Sequence, residues 1–272
     1  MQRAIVIIAF YLVSFQLQAT DYFGSRGPIA RSLGGASLTL ANPWSAFNNQ
    51  ASLAQIQNFS VGAAATRVYN IDQLSMASMA AAIPINSAAT IGVSFDHMGV
   101  TDLYGLQKLG VSLSRFYGDN FAVGLQLEGL YLNMFDYGNR AILNAHLGFL
   151  VLPSDNLKLG LQIQNLFGQV LIESIDERLP VIARIGGSYE VNEKFSFLAE
   201  TSLSTNRPSK FHAGVVYKLN EKLNLRGGFS TNQLESSFGM DIKLKQVCIL
   251  LAFSYHQYLG TTPEMGISYA QN

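Results

Sequence analysis

From about residue 58 to the C-terminus, apolar residues alternate with small or polar ones, and short turns interrupt the alternation at regular intervals. Phe121, Val123, Leu125 and Leu127, interleaved with Ala122, Gly124, Gln126 and Glu128, show it most clearly. Successive side chains of a strand point to opposite faces, so a period of two describes a strand with one greasy face. Strands are expected near 58–68, 73–83, 88–96, 104–116, 120–132, 139–151, 156–166, 181–190, 194–204, 209–218, 222–231, 235–245, 247–256 and 263–271. An even set of strands, each long enough for the roughly 9–11 residues of a tilted crossing, predicts an all-β fold. The expected form is a transmembrane antiparallel β-barrel of about 14 strands with an N-terminal plug segment.

The N-terminus supports export. Arg3 precedes the apolar run Ala4 to Phe15, and Leu17-Gln18-Ala19 is an imperfect small-residue cleavage site. Residues 1–19 therefore read as a signal peptide. A membrane anchor needs roughly 20 apolar residues, and this run is shorter. The expected organisation is signal peptide 1–19, plug segment 20–57 and barrel 58–272. Charged residues make up 13%, against roughly 25% in soluble domains. A net charge of zero gives no reason to expect a nucleic-acid partner. The single Cys248 has no disulfide partner within the chain, and no Cys/His spacing calls for a metal or cofactor. Outer-membrane lipid is the partner this composition implies, with localisation in the outer membrane of a Gram-negative cell. A soluble exported β-protein is the bland alternative.

The turns fall into two sets. Ile85 to Ser87, Gly118 to Asn120, Pro153 to Asn156, Asn192-Glu193, Asn220-Glu221 and Lys245-Gln246 are tight and polar, and are expected in the periplasm. Longer connections at Val68 to Asp72, Asp96 to Asp102, Phe135 to Asn139, Gly168 to Leu179, Thr205 to Pro208 and Tyr258 to Thr262 are expected outside. Aromatics of the greasy face gather near both strand ends, as an interfacial belt requires.

The inward face carries a pattern of its own. Gly62, Gly92, Gly110, Gly124, Gly148, Gly160, Gly186, Gly214, Gly228, Gly239 and Gly266 fall on it, a few residues from the periplasmic turns. Glycine in a strand marks a sharp bend or a close backbone approach. One reading is a ring that makes room for the plug; the other is relief of barrel curvature. Arg184 lies one strand from Glu200, and Arg226 one strand from Asp241; charges in a confined lumen need such partners. His146, His212 and His256 face inward on different strands and depths. No catalytic constellation is present, so the chain is not expected to be an enzyme. Glu173, Asp176, Glu177 and Arg178 form a charged run in the longest outer loop.

Residues 25–54, SRGPIARSLGGASLTLANPWSAFNNQASLA, lack alternation, and a short helix is expected from Trp44 to Leu53 with Asn42 as cap and Pro43 first. This stretch resembles the N-terminal signature of PorV/PorQ proteins, within the FadL-like family of outer-membrane barrels. The matching residues are Arg31, Gly34, Gly35, Ala36, Ala41, Ala46, Phe47, Asn49, Ala51 and Leu53. Asn42-Pro43 stands where the family has an Asp pair, Gln50 where it has Pro, and Ser52 where it has a second Gly. Asn165, Leu166, Gly168, Leu179, Pro180 and Gly186 fill a second, Asn-Leu-Gly to Leu-Pro, segment of the family. Tyr269 stands near the end, where many such barrels carry a terminal aromatic. The resemblance implies a non-catalytic accessory role in type IX protein secretion, with secretion-system proteins or secreted cargo as partners at the loops and rim. The rival reading is a FadL-like channel for hydrophobic, fatty-acid-like molecules. That reading needs a greasy lumen pocket, a displaceable plug and often an opening in the wall. The second strand, SMASMAAAIP with Met76 and Met79, is the expected irregular segment.

Overall fold

The computed structural model describes residues 24–100, 104–135, 138–172, 177–231 and 234–271. The expected signal peptide, residues 1–19, and the acidic residues Glu173 and Asp176 lie outside them. Fourteen strands run up and down and close into a barrel. They are β1 (Ser60–Arg67), β2 (Ser75–Asn86), β3 (Ala89–Val100), β4 (Tyr104–Phe116), β5 (Phe121–Met134), β6 (Gly138–Ser154) and β7 (Leu157–Gln164). After two short strands come β10 (Ile182–Glu190), β11 (Phe195–Ser204), β12 (Lys210–Lys218), β13 (Leu223–Ser230), β14 (Glu235–Leu244), β15 (Val247–His256) and β16 (Gly260–Ala270). The short pair, β8 (Val170–Ile172) and β9 (Glu177–Arg178), forms a separate hairpin in the longest connection. β1 closes the barrel on β16, from Ser60↔Ala270 to Thr66↔Glu264.

The strands match the periodicity, with three instructive differences. β3 continues past residue 96 to Val100, because Asp96 points into the lumen and is buried there instead of opening a turn. The second strand is regular: Met76, Ser78, Ala80 and Ala82 face inward and Met79 and Ile83 outward. Its ladders to both neighbours hold until a register shift at Pro84/Asn86, near its end, so the expected wall irregularity is absent at Met76 and Met79. Small residues blur a hydropathy pattern without disturbing a pleat. Third, the strands differ in length: β4, β5 and β6 run 13, 14 and 17 residues, whereas β12 and β13 run 9 and 8.

The outward face is apolar all round. Leu109, Val111, Leu113, Leu125, Leu127, Ile185, Phe197, Phe238, Met265 and Ile267 are exposed there. Monomeric soluble proteins leave single apolar patches of only roughly 300–600 Å², and this band encircles the cylinder. Hydrocarbon is the medium that fits it. The strands close into a ring with no terminal strand, as a lipid-facing sheet requires. Near the tight turns Phe121 stacks on Phe149 at 6.3 Å and Phe195 on Tyr217 at 4.7 Å. Near the longer loops Phe211 meets Phe229 at 6.2 Å.

The core of the molecule sits inside the barrel. Leu33, Leu38, Trp44 and Leu53, all from the N-terminal segment, are among its most deeply buried side chains. That segment holds a helical turn at Pro28–Ser32, a second at Ser45–Asn48 and a 3-10 turn at Gln50–Gln55. The single helix expected from Trp44 to Leu53 is thus broken, and Asn42 does not cap it. Asn49 adopts φ −166° between the two turns, and its side chain caps the second by accepting from the Ala51 N–H at 3.2 Å.

Candidate functional site

Residues 24–56 lie inside the lumen and pack mainly against the inward glycines of its tight-turn half. Nine inward glycines lie directly against them: Gly62, Gly92, Gly124, Gly148, Gly160, Gly214, Gly228, Gly239 and Gly266. A Cβ on Gly62 would sit 2.5 Å from the Trp44 ring, and one on Gly214 2.8 Å from the Leu33 Cβ. Gly110 and Gly186 instead face wall residues, Gln126 and Glu200 among them. Three pairs, Gly124↔Gly148, Gly160↔Gly186 and Gly214↔Gly228, are direct cross-strand partners, so the wall is thinned in patches two strands wide.

The motif residues of the segment have distinct structural tasks. Gly34 and Gly35 turn through φ +66° and +98°, a region side chains rarely adopt, and press on the Phe229 backbone and the His212 ring. The Gly34 carbonyl accepts from His212 Nδ1 at 2.6 Å. Arg31 pairs with Glu264. Ala36 is fully buried with Leu33 and Leu198. The Phe47 carbonyl accepts from Gln162 at 2.9 Å. Asn49 donates to the Leu38 and Phe149 carbonyls at 2.8 and 3.1 Å. The departures from the family pattern also bond: Gln50 donates to Gln126 at 2.8 Å and Ser52 to the Leu38 carbonyl at 2.6 Å.

Buried charges tie the segment to the wall. Arg184 and Glu200 form an ion pair, with Nε to Oε1 at 2.6 Å. Arg184 also donates to the Asn48 carbonyl at 3.1 Å, to Ser25 Oγ at 2.8 Å and to Ser37 Oγ at 3.0 Å. Glu200 accepts from the Ser37 and Leu38 N–H groups at 3.0 and 3.3 Å. Arg226 and Asp241 pair between β13 and β14, joined by Asn224 at 2.8 Å. One tie is absent from the sequence reading: Arg26 donates to Asp96 at 2.9 Å, with both side chains buried. A polar strand end looks like a turn signal, and only its depth in the lumen shows otherwise. His146 sits 3.4 Å from Glu128, His212 contacts the plug and Ser202, and His256 receives the Tyr258 and Leu259 N–H groups. These histidines do not converge. Among the described residues no His/Cys/Asp/Glu group is placed to hold a metal.

Toward the long-loop end the inner wall changes character. Met76↔Met98, Met98↔Leu106 and Leu106↔Leu132 are direct cross-strand partners, forming one inward row across β2 to β5. Leu130 and Ile142 extend it to β6 in the neighbouring row. All six are buried. The signal for this crescent is in the sequence, as apolar runs that break the period of two: Leu130-Tyr131-Leu132 and Ala141-Ile142-Leu143 have grease on both faces. A cavity of about 130 Å³ touches the Met76–Met98 end of the crescent. Val68, Met76 and Met98 give it an apolar side, while Arg31, Arg184, Arg207, Lys210, His212 and Glu235 make most of its lining polar or charged.

No protein-family model matches the chain, and no curated protein matches it. Solved structures do. The CymD monoaromatic hydrocarbon channel superposes with a TM-score of 0.71 at 12% identity, over 93% of this chain and 99% of that one. The Ralstonia pickettii toluene transporter TbuX gives 0.66 at 13%, over 92% and 98%. A Pseudomonas aeruginosa FadL homologue gives 0.57 at 14%, over 94% and 98%. At such identities the likeness is one of fold: the chain shares the overall architecture of these proteins.

Proposed function

We propose that the chain is an outer-membrane channel of FadL type that takes up small apolar molecules, with its tight turns in the periplasm. The observation that carries this reading is the apolar crescent beside the cavity of about 130 Å³. An aqueous pore gains little from a row of Met76, Met98, Leu106 and Leu132 on its inner wall, which here is covered by Val68 and Leu179 of the outer connections. The neighbours of matching fold include proteins described as monoaromatic hydrocarbon and toluene carriers, which agrees with a ligand of that class. Cells carrying the chain should accumulate labelled toluene faster than cells without it, and Met98→Asn should remove the gain. Equal rates in all three would end this reading.

The resemblance to PorV/PorQ proteins supports a second reading, an accessory part in type IX secretion. The observation on its side is the tight-turn half of the lumen, filled by a segment held by nine glycine contacts and the buried Arg184–Glu200 pair. A barrel filled in this way serves well as a docking body. Copurification of secretion components with the full chain tests it.

A further inference from the structure

The cavity at the long-loop end is unevenly charged. Its basic lining comes from two bodies: Arg26 and Arg31 from the N-terminal segment, and Arg184, Arg207 and Lys210 from β10, β12 and the connection before β12. Strand register fixes part of this lining. Arg184↔Ser202 and Ser202↔Lys210 are direct cross-strand partners, so two cations flank one hydroxyl in a single inward row. Ser230↔Glu235 pair two strands further on, and Ser204, Ser237 and Thr262 bring more hydroxyls to the same space.

The carboxylates that pair with three of these arginines stand behind the surface. Asp96 holds Arg26, Glu264 holds Arg31 through Nε, and Glu200 holds Arg184. None of the three lines the cavity. Among the described residues Glu235 is the one carboxylate that does. With Nε on Glu264, the Arg31 side chain, 21% exposed, meets a guest with its Nη edge. That edge is a planar fork matched to two oxygens of one anion. Cations gathered around an enclosed space are costly unless negative charge meets them there.

We propose that this cavity binds a small tetrahedral oxyanion of the phosphate or sulfate class, free or as the phosphoryl group of a compact ester. Its volume of about 130 Å³ is roughly four times a water's share of about 30 Å³, which is room for such an ion. Four oxygens suit the lining: one pair for the Arg31 fork, the others for Lys210, Arg207 and the serine hydroxyls. A carboxylate offers two oxygens, too few to serve both the fork and Lys210. The bound ion joins the N-terminal segment to the wall, with Arg31 on one side and Lys210 on the other. This inference goes beyond the uptake reading and does not depend on it.

The test is binding of radiolabelled phosphate to the full chain in phosphatidylcholine nanodiscs. Empty discs serve as blank, and about 0.15 M sodium chloride screens loose surface attraction. Binding should saturate at one ion per chain, weaken on the order of tenfold in Lys210→Gln and recover in Lys210→Arg. Lys210 opens β12 and is only half-buried, so its loss spares the barrel; heat-modifiable migration verifies folding. No saturable binding above the blank overturns the proposal. Equal binding by the native chain and Lys210→Gln would mean an adventitious ion only, and also overturns it. So does benzoate that displaces the label as well as phosphate does. Glycerol phosphate separates the two sources: displacement supports an ester, and its absence supports the free ion. Through linkage, saturating phosphate should raise the urea midpoint of the native chain more than that of Lys210→Gln; an equal rise in both counts against the site. Phosphate binding without toluene uptake would keep the site and discard the carrier. Uptake without phosphate binding would do the reverse.

Discussion

Arg184 and Glu200 face each other on adjacent strands and hold the N-terminal segment between them, the guanidinium on the Asn48 carbonyl and the carboxylate on the Ser37 N–H. Breaking a buried pair by removing one partner leaves an uncompensated charge and costs roughly 3–5 kcal/mol. Arg184→Ala should therefore lower the stability of the barrel by about that amount in urea titrations in lipid vesicles. The paired change Arg184→Met/Glu200→Leu should lose less than the single variant. A single variant as stable as the native chain would show that the pair does not anchor the segment.

The native chain should carry no steady ion current in a planar bilayer, since residues 24–56 fill the tight-turn half of the lumen. Arg184→Ala should introduce intermittent current steps by loosening that segment. A large open conductance in the native chain would contradict the packing seen around Trp44 and Leu53.

Gly62 leaves the space that the Trp44 ring occupies. Gly62→Val should destabilise by about 1–3 kcal/mol through overpacking. Trp44→Ala should cost about 3–5 kcal/mol by opening a cavity. The double variant should lose clearly less than the sum, because the two changes relieve each other. Additive losses would mean that ring and glycine do not meet.

Leu127 lies on the outward face, mid-strand and exposed. Leu127→Arg should cost roughly 2–4 kcal/mol of folding into phosphatidylcholine vesicles, as expected for a basic side chain near mid-depth. If folding yield and stability were unaffected, lipid would not be the medium around β5.

The fourteen strands were readable because a period of two survives in almost every one of them. β14 keeps it even as Phe238, Met240 and Ile242 shift the apolar phase. Depth is a different matter. Asp96 and Asp119 look alike in a sequence, yet one is buried in the lumen against Arg26 and the other lies in an exposed turn. Alternation puts a residue on a face but does not say what lies opposite, so pairs such as Arg31 with Glu264 emerge only when the barrel closes. Strand phase puts Gly62 on the inner face; nothing in the chain order matches it to Trp44. The crescent escaped for another reason. Around Met76 small residues blur the alternation and suggest an irregular wall segment instead, and at Leu130 to Leu132 both faces are apolar, so a period of two marks no inner row there.

The unequal strands have a geometric consequence. With β4 to β6 at 13 to 17 residues and β12 and β13 at 9 and 8, the mouth is bevelled. One lip stands proud, and its concave side bears Leu106, Leu132 and Ile142. A greasy solute drifting in over the low lip meets that side broadside, whereas one arriving from behind meets only the back of the shovel. On the proposed function, the outline of the rim thus sets the direction of approach.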